Sequence, residues 1–352
     1  MIKLFFFLIL VLGFINYKYP QKSLLYLMFV LFLTVSLRHE VCFLDTYSYI
    51  LDYEQLANVE YSSIYKIWEK DISFWYISKV ISSLSKGNYT IWFAFLAISY
   101  IIPLYFLIKQ YSKNYQISLI LFCCLGFGFF IMTGLRQTLA MGCTMGALYF
   151  LLNNQRKYYF LLVVFGTLFH KTAIVFLILY PLINLPIKRK YTLLYILLGG
   201  IIYYLSIQYL PIIMMSDFDS RFAVYVERDA TINYSGLIRQ IILFILSIIL
   251  LGTDRNNYLN RVFLLMSLVG IFFQSMTNIL PEMFRVSMYF SISNIFLLAN
   301  ALNAKRDLPI IKYAIIIVLT FYFITSKNAG FQEEYYFFFQ NVPASVYSSL
   351  NY

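Results

Sequence analysis

The residues of this sequence best suited to chemistry are arginines at the ends of apolar segments. Arg136, Arg239 and Arg285 each lie at or near the start of such a segment, and Arg38 closes an earlier one. A guanidinium presents a rigid fork of N–H donors that matches phosphate oxygens, and a helix start adds unpaired N–H groups. We therefore predict that these four and Arg221 bind an anionic ligand. The alternative is contact with lipid headgroups or with nearby carboxylates, namely Asp219, Glu227 and Glu282.

His170 is the candidate general base. The chain has two histidines, and imidazole is the side chain that exchanges a proton near neutral pH. His170 and Lys171 interrupt an apolar stretch, whereas His39 follows Arg38 and is interpreted as a solvated loop residue. The alternative for His170 is a structural role with both nitrogens engaged in hydrogen bonds.

Asp45 is an acidic candidate in the segment that follows Arg38, and a metal or nucleotide cofactor has no support in the sequence. No DxD, HExxH or phosphate-loop pattern occurs, and the four cysteines lack the spacing of a metal site. We therefore expect chemistry that depends on arginine, histidine and carboxylate groups, with no metal and no cofactor.

The elements that must hold these residues are membrane helices. Of 352 residues, 61% are hydrophobic and 12% charged, with a mean hydropathy of +0.73; soluble domains carry roughly 25% charged residues. This composition excludes a soluble enzyme and a disulfide scaffold, and it predicts an all-α polytopic membrane protein of about 12 transmembrane helices. The predicted spans are 2–15, 23–37, 89–108, 116–133, 135–152, 158–169, 172–185, 191–212, 236–252, 258–276, 283–303 and 309–325.

The net charge of +11 is explained by basic loops on one side of the membrane, with no need for nucleic acid. Paired or tripled Lys and Arg residues fall in alternate connections, which we assign to the cytoplasm. A single transmembrane domain, 1–352, then has three outer segments: a large loop at 38–88, a loop at 213–235 and the tail at 326–352. Within the first, Ile72 to Leu84 is predicted to form an amphipathic helix.

Residues 158–185 are predicted to form a hairpin because basic clusters flank both ends. Each arm reaches about 21 Å at most, which is short of the roughly 30 Å hydrocarbon layer. The apex around His170 and Lys171 should then lie in protein or a water-filled cavity. Ionisable groups at that depth are usually functional.

Four segments together resemble one family. They are Leu37-Arg38 followed by Asp45-Thr46 and Tyr49, then Gly134-Leu135-Arg136-Gln137-Thr138-Leu139-Ala140, Phe169-His170-Lys171-Thr172-Ala173, and Phe284-Arg285 with Tyr289. Their order and spacing are similar to those of the EpsG-like branch of the O-antigen and exopolysaccharide polymerases (Wzy type).

The resemblance implies a fold like that of the GT-C glycosyltransferases and a metal-independent, inverting enzyme of the bacterial inner membrane. Such an enzyme joins undecaprenyl-diphosphate-linked oligosaccharides, as donor and acceptor, at the periplasmic face. It implies His170, Arg136 and Arg285 as catalytic residues. Substrate would be bound by Arg38, Asp45, Tyr49, Gln137, Lys171, Arg221, Arg239 and Tyr289.

The expected partners are these two lipid-linked substrates, membrane lipids and, as a further candidate, a chain-length regulator protein. Two other classes stay open at this point. An O-antigen ligase or another polyprenyl-phosphate-dependent glycosyltransferase would use the same arginines with a different acceptor, and a lipid-linked oligosaccharide flippase would transport the substrate. A flippase should show inverted repeats, and the sequence displays none.

Overall fold

The computed structural model of the protein is predominantly helical in the residues that it describes. These residues are 8, 9, 11, 20–42, 44–184, 200–201, 203–205, 208–209, 234–277, 280, 283–304, 309–325 and 336–342. Within these residues a single antiparallel β-bridge joins Arg38 to Phe337. The chain divides into two compact units, Met1–Ile174 with Lys305–Tyr352, and Val175–Ala304.

The helix bounds follow chain order. The α-helices are α1 (Pro20–Ser36), α2 (Leu44–Leu56), α3 (Ile64–Ile67), α4 (Ile72–Ser85), α5 (Tyr89–Tyr111), α6 (Tyr115–Cys124), α7 (Phe127–Thr133), α8 (Leu135–Leu152), α9 (Arg156–Phe169), α10 (Leu179–Asn184), α11 (Ser235–Leu251), α12 (Tyr258–Ser275), α13 (Met283–Ser291), α14 (Asn294–Ala304) and α15 (Pro309–Thr325). In the described part of the chain, 3₁₀ segments lie at Glu40–Cys42, Tyr61–Ser63, Lys171–Ile178 and Gly252–Asn256.

The first unit is centred on α8, which packs against α5 on one side and α9 on the other. A Cβ atom added to Gly142 of α8 would lie 2.2 Å from the Ser99 carbonyl oxygen of α5. That carbonyl lacks its usual helical partner because the residue four positions on is Pro103, which has no N–H. Glycine at 142 therefore lets the two helices approach where the α5 hydrogen-bond ladder is interrupted.

Residues 38–88, predicted to form a large outer loop, are folded into short helices. Helix α4 confirms the predicted helix at 72–84, whereas α2 was not predicted. The buried rings of Tyr53 and Trp92 stack with centroids 4.4 Å apart, which fixes α2 against the start of α5. The Lys79 ammonium of α4 donates to the Ala57 carbonyl at 3.0 Å and to the Leu56 carbonyl, satisfying the end of α2.

The second unit is held by buried amide and hydroxyl groups between its apolar helices. Gln240 of α11 donates from Nε2 to Gln274 of α12 and to Ser287 of α13, each at 3.2 Å. Ser287 in turn donates to the Gly270 carbonyl at 2.8 Å. Buried polar groups need such partners because leaving one unpaired is costly.

The helix predictions are confirmed most closely where a span is long and uninterrupted. Helices α8 and α15 have the bounds 135–152 and 309–325 that the sequence predicts, and α9 ends at Phe169 as expected. By length and composition, Tyr89–Tyr111, Ser235–Asn256 and Tyr258–Ser275 could each cross a membrane. Within the described residues these make three candidate spans, or four with the bent pair α6 and α7.

Three predicted spans are wrong in detail, because each is interrupted. Residues 116–133 form α6 and α7, bent by 57° at Gly126, whose φ of +86° suits glycine. Residues 172–185 begin as a 3₁₀ segment, and α10 starts just before Pro181, a position where proline is tolerated. Residues 283–303 split into α13 and α14. The predicted spans 2–15 and 191–212, the loop 213–235 and the tail lie largely outside the described residues.

Candidate active site

Asp71 organises a cluster of charged side chains in the first unit. It directly precedes α4, in a left-handed conformation with φ of +51° and ψ of +45°, and its side chain is 7% exposed. Residues other than glycine seldom adopt positive φ, and such conformations concentrate at functional sites. The conformation turns a buried carboxylate toward the ends of two other helices.

Arg136 lies in the first turn of α8 and faces this carboxylate. Its Nη1 atom is 3.2 Å from Asp71 Oδ2, and its Nε donates to the Tyr49 hydroxyl at 2.8 Å. The guanidinium carbon also lies 5.7 Å from the centre of the Tyr49 ring. Within the described residues, Nη2 has no acceptor, and the side chain is 26% exposed. The arginine is therefore held on two of its nitrogens and open on the third.

His170 caps the end of α9 and meets the same carboxylate oxygen. Its backbone is extended, with φ of −154° and ψ of +113°, so the helix stops there. Nδ1 lies 3.1 Å from Asp71 Oδ2, and an ionised carboxylate can only accept, so Nδ1 carries the proton. Nε2 is buried and has no hydrogen-bond partner among the described residues. The imidazole thus presents an unused lone pair.

The charges around Asp71 keep it ionised. Burial alone would raise the pKa of the Asp71 carboxyl, but the hydrogen bond and charge of His170, the Arg136 guanidinium and the Lys171 backbone N–H together lower it. The pKa of the Asp52 carboxyl in α2 is shifted in the opposite direction. Burial raises the pKa of the Asp52 carboxyl, although the Trp68 indole hydrogen bond and the Arg136 charge oppose the rise.

Sequence reasoning missed both Asp71 and Asp52. The signal for Asp71 was its place immediately before the predicted amphipathic helix, because acidic residues favour helix starts. Nothing in the sequence indicated that residues 38–88 fold so that Asp71 meets residues 65 and 99 positions further along the chain. Of the predicted site residues, the first unit brings together Tyr49, Arg136 and His170.

Arg38 was predicted to bind substrate, which requires an accessible side chain, but the structure buries it. It is fully buried, with its guanidinium carbon 3.7 Å from the centre of the Phe93 ring. Nη1 donates to the Val35 carbonyl and Nη2 to the Met132 carbonyl, which also accepts from Thr46 at 2.7 Å. Because none of its surface is exposed, we assign Arg38 the structural role of joining α1 to the end of α7.

The side chains of the other predicted residues of the first unit make no described contact with Asp71. Gln137 is buried on α8, whereas Asp45 and Lys171 are exposed. Lys171 contributes through its backbone, since its N–H donates to Asp71. His39 is buried, with Nδ1 accepting from the Val41 N–H at 3.4 Å, so the expectation of a solvated loop residue is wrong.

Arg239, Arg285 and Tyr289 belong to the second unit. Both arginines are half-buried, Arg239 in the first turns of α11 and Arg285 near the start of α13, while Tyr289 is buried on α13. Arg221 lies outside the described residues. In the described part of the chain, no group of three His, Cys, Asp or Glu side chains could hold a metal ion.

Long apolar helices and a buried charged cluster at helix ends define a helical membrane protein with a polar site. The model of the EpsG family matches residues 21–341, and the chain therefore belongs to the EpsG family. These are membrane proteins that resemble exopolysaccharide and O-antigen polymerases. The resemblance found in the sequence is thereby confirmed, and the chain is a polysaccharide polymerase-like membrane protein. Comparisons with curated proteins and with solved structures gave no match.

Proposed function

We propose that the protein polymerises a polysaccharide by joining oligosaccharide repeat units carried on undecaprenyl diphosphate. The observation that carries the proposal is the single carboxylate, Asp71, that contacts both an imidazole and a guanidinium. Glycosyl transfer from a diphosphate needs a group that removes a proton from the acceptor and a group that stabilises the departing diphosphate. The cluster supplies one of each, side by side.

His170 is the proposed base. Asp71 holds the proton on Nδ1, so the Nε2 lone pair is free to accept the proton of an acceptor hydroxyl. The carboxylate also stabilises the imidazolium that forms, as the acidic member does in other base–carboxylate pairs. This arrangement favours the catalytic over the purely structural interpretation of His170, because a structural histidine would have both nitrogens occupied.

Arg136 is the proposed ligand of the diphosphate. Its contacts to Asp71 and Tyr49 fix the plane of the guanidinium, and Nη2 has no acceptor among the described residues, so it can donate to an anion. Donors oriented in advance stabilise charge that develops in the transition state without reorganising at that moment. Arg239 and Arg285 of the second unit, and Arg221, are each proposed to bind an anionic part of the substrate. Gln137, Lys171, Asp45, Tyr49 and Tyr289 are proposed to contact substrate.

The reaction is a single displacement. The acceptor oxygen attacks the anomeric carbon of the growing chain, its proton passes to Nε2 of His170, and the bond from that carbon to the diphosphate oxygen breaks. The diphosphate departs with the bonding electrons on the lipid carrier. Attack opposite to the leaving group inverts the anomeric configuration. No metal or cofactor enters the scheme.

The finer fold and location are part of the same proposal. About 12 transmembrane helices, a GT-C-like arrangement and an active site on the periplasmic side of the inner membrane would place the cluster where lipid-linked repeat units are exposed. Glu60→Cys and Asn154→Cys test the orientation, since both positions are exposed. An impermeant thiol reagent should label intact cells at Glu60→Cys only, and labelling at Asn154→Cys would reverse the assignment.

The function is tested with the purified protein in lipid nanodiscs, supplied with undecaprenyl-diphosphate-linked repeat units. We expect a ladder of longer lipid-linked chains and release of undecaprenyl diphosphate, with no added metal. In cells, deletion of the protein should leave glycan with a single capped repeat. Absence of every capped repeat would instead indicate a ligase or a flippase. The chain-length regulator is tested by adding it and comparing the ladder lengths.

A further inference from the structure

We infer that the apolar groove between α5, α8 and α9 binds the isoprenoid tail of the lipid carrier. The groove encloses about 620 Å³ and includes Phe95, Pro103, Leu139, Cys143, Gly146 and Phe165 in its lining. This inference rests on the proposed function, because it supplies a place for the lipid part of the same substrate.

Along α8 and α9 the groove begins within one helical turn of the charged cluster. On α8 its lining begins at Leu139, one helical turn after Arg136, and on α9 it ends at Phe169, the residue before His170. From there it follows α8 to Phe150, a distance of about 16 Å at 1.5 Å per residue. A lipid whose anionic headgroup bound at the cluster could therefore place its apolar tail in the groove.

The lining is apolar although it includes a serine. The Ser99 hydroxyl donates to the Leu96 carbonyl of its own helix at 2.7 Å, so it does not require water in the groove. The lining combines small residues, Gly142, Cys143 and Gly146, with large aromatic ones. Because the groove begins beside Arg136, the proposed diphosphate ligand, we assign it to the isoprenoid tail of the same carrier rather than to a phospholipid.

The three helices that line the groove are joined by close backbone contacts. Helices α8 and α9 run antiparallel, since a Cβ atom on Gly146 would lie 3.2 Å from Leu162 and one on Gly166 would lie 3.0 Å from Cys143. Helix α5 approaches α8 at Ser99, where Pro103 interrupts its hydrogen-bond ladder. These close contacts join the three helices at residues that also line the groove.

The direct test is photo-crosslinking of the wild-type protein in nanodiscs with a diazirine-bearing undecaprenyl phosphate. We expect crosslinked peptides from 135–152 and 156–169. Unlabelled undecaprenyl diphosphate should remove them, and inorganic pyrophosphate should not, because it occupies the cluster alone. Crosslinks spread over the exposed helix α15, or removal of the signal by phosphatidylglycerol, would overturn the assignment.

A filling substitution supplies the functional test. Cys143→Phe places a ring in the groove, while Val164→Phe adds similar bulk on α9 at a position that is 53% exposed and does not line the groove. We expect Cys143→Phe to raise KM for the long-chain donor about tenfold, about 1.4 kcal/mol of lost binding, with kcat little changed. Val164→Phe should match the wild type. An unchanged KM in a folded Cys143→Phe protein would contradict the proposal.

The two proposals fail separately. Crosslinking in the groove without any polymerised product would support the lipid site and contradict the polymerase assignment. Polymerisation together with crosslinks on other helices would support the polymerase activity and contradict the assignment of the groove to the lipid tail. Because the crosslinking uses unaltered protein and needs no turnover, a misfolded variant cannot decide either outcome.

Discussion

Asp71 Oδ2 lies 3.1 Å from Nδ1 of His170 although 99 residues separate them in the chain. The same oxygen lies 3.2 Å from Nη1 of Arg136. One carboxylate therefore fixes both the proposed base and the proposed diphosphate ligand, and α4, α8 and α9 each contribute one member at a helix end. Each of these side chains can be altered separately, and the resulting defects should differ.

Replacing the carboxylate by an amide should disable the cluster without changing its size. Asp71→Asn removes the charge that stabilises the imidazolium. Because an amide can donate as well as accept a hydrogen bond, it also no longer holds the imidazole proton on Nδ1. We therefore expect kcat/KM to fall about 10²–10⁴-fold. The measurement is the rate of ladder formation at matched protein levels. Glu69→Gln is the control, because that carboxylate lies two residues away and is exposed. Equal activity of both variants would remove Asp71 from the mechanism.

Substitutions at His170 separate a base from a structural residue. His170→Gln can still donate to Asp71 and accept a hydrogen bond, but it cannot take a proton near neutral pH, so a base role predicts a loss of roughly 10²–10⁴-fold. His170→Ala should lose as much. If His170→Gln polymerised nearly as fast as wild type while His170→Ala did not, His170 would orient the acceptor, and Asp52 would be the next carboxylate to test.

The pKa directions of the two acidic residues predict opposite effects of pH on stability. The pKa of Asp71 is lowered from 3.8, so its stabilising contribution is present above that value and is lost as pH falls through the folded-state pKa. The melting temperature of Asp71→Asn should therefore be below that of wild type at about pH 7 and about pH 5, and the gap should close in stronger acid.

Asp52→Asn should change stability with pH in the opposite sense to Asp71→Asn. Its pKa is raised from 3.8, so ionising it costs stability as pH rises through the folded-state pKa. Asp52→Asn should equal or exceed the wild-type melting temperature at about pH 7 and lose that advantage in acid. The reverse ordering of the two variants would mean that the surroundings of these carboxylates differ from those described.

Arg136→Lys tests whether geometry or charge is required. A lysine keeps the charge but cannot contact Asp71, Tyr49 and a phosphate in one plane, so we expect most activity to be lost, mainly in kcat. Tyr49→Phe removes only the hydroxyl contact and should be milder. Arg156→Lys is the control, since Arg156 is exposed at the start of α9. A normal glycan ladder from Arg136→Lys would refute the diphosphate assignment. Arg285→Lys extends the same test to the second unit.

The sequence predicts the parts of this molecule that depend on local pattern. Continuous apolar runs define α5, α8 and α15, and basic flanks together with a break in the pattern locate the end of α9 at His170. Arg136 and His170 were found because charged residues are conspicuous in apolar surroundings. Asp71 was not found, because it lies in a segment rich in charge, and its importance depends on a tertiary contact that no spacing encodes. The sequence predicted Arg38 as a ligand because of its charge, but its burial depends on the tertiary packing of α1 against α5 and on its contact with the Phe93 ring.

Gly142→Ala tests the packing that holds α8, and with it Arg136, in position. The added methyl carbon would lie 2.2 Å from the Ser99 carbonyl oxygen, which is backbone and cannot turn aside. Helices α5 and α8 must therefore separate, at a cost of about 1–3 kcal/mol typical of overpacking. We expect a lower melting temperature and reduced activity. Gly146→Ala is the matched control on the same helix, because its methyl group would meet only the flexible end of Leu162, at 3.2 Å. If Gly142→Ala were as stable as Gly146→Ala, the close contact between α5 and α8 would not exist in the membrane.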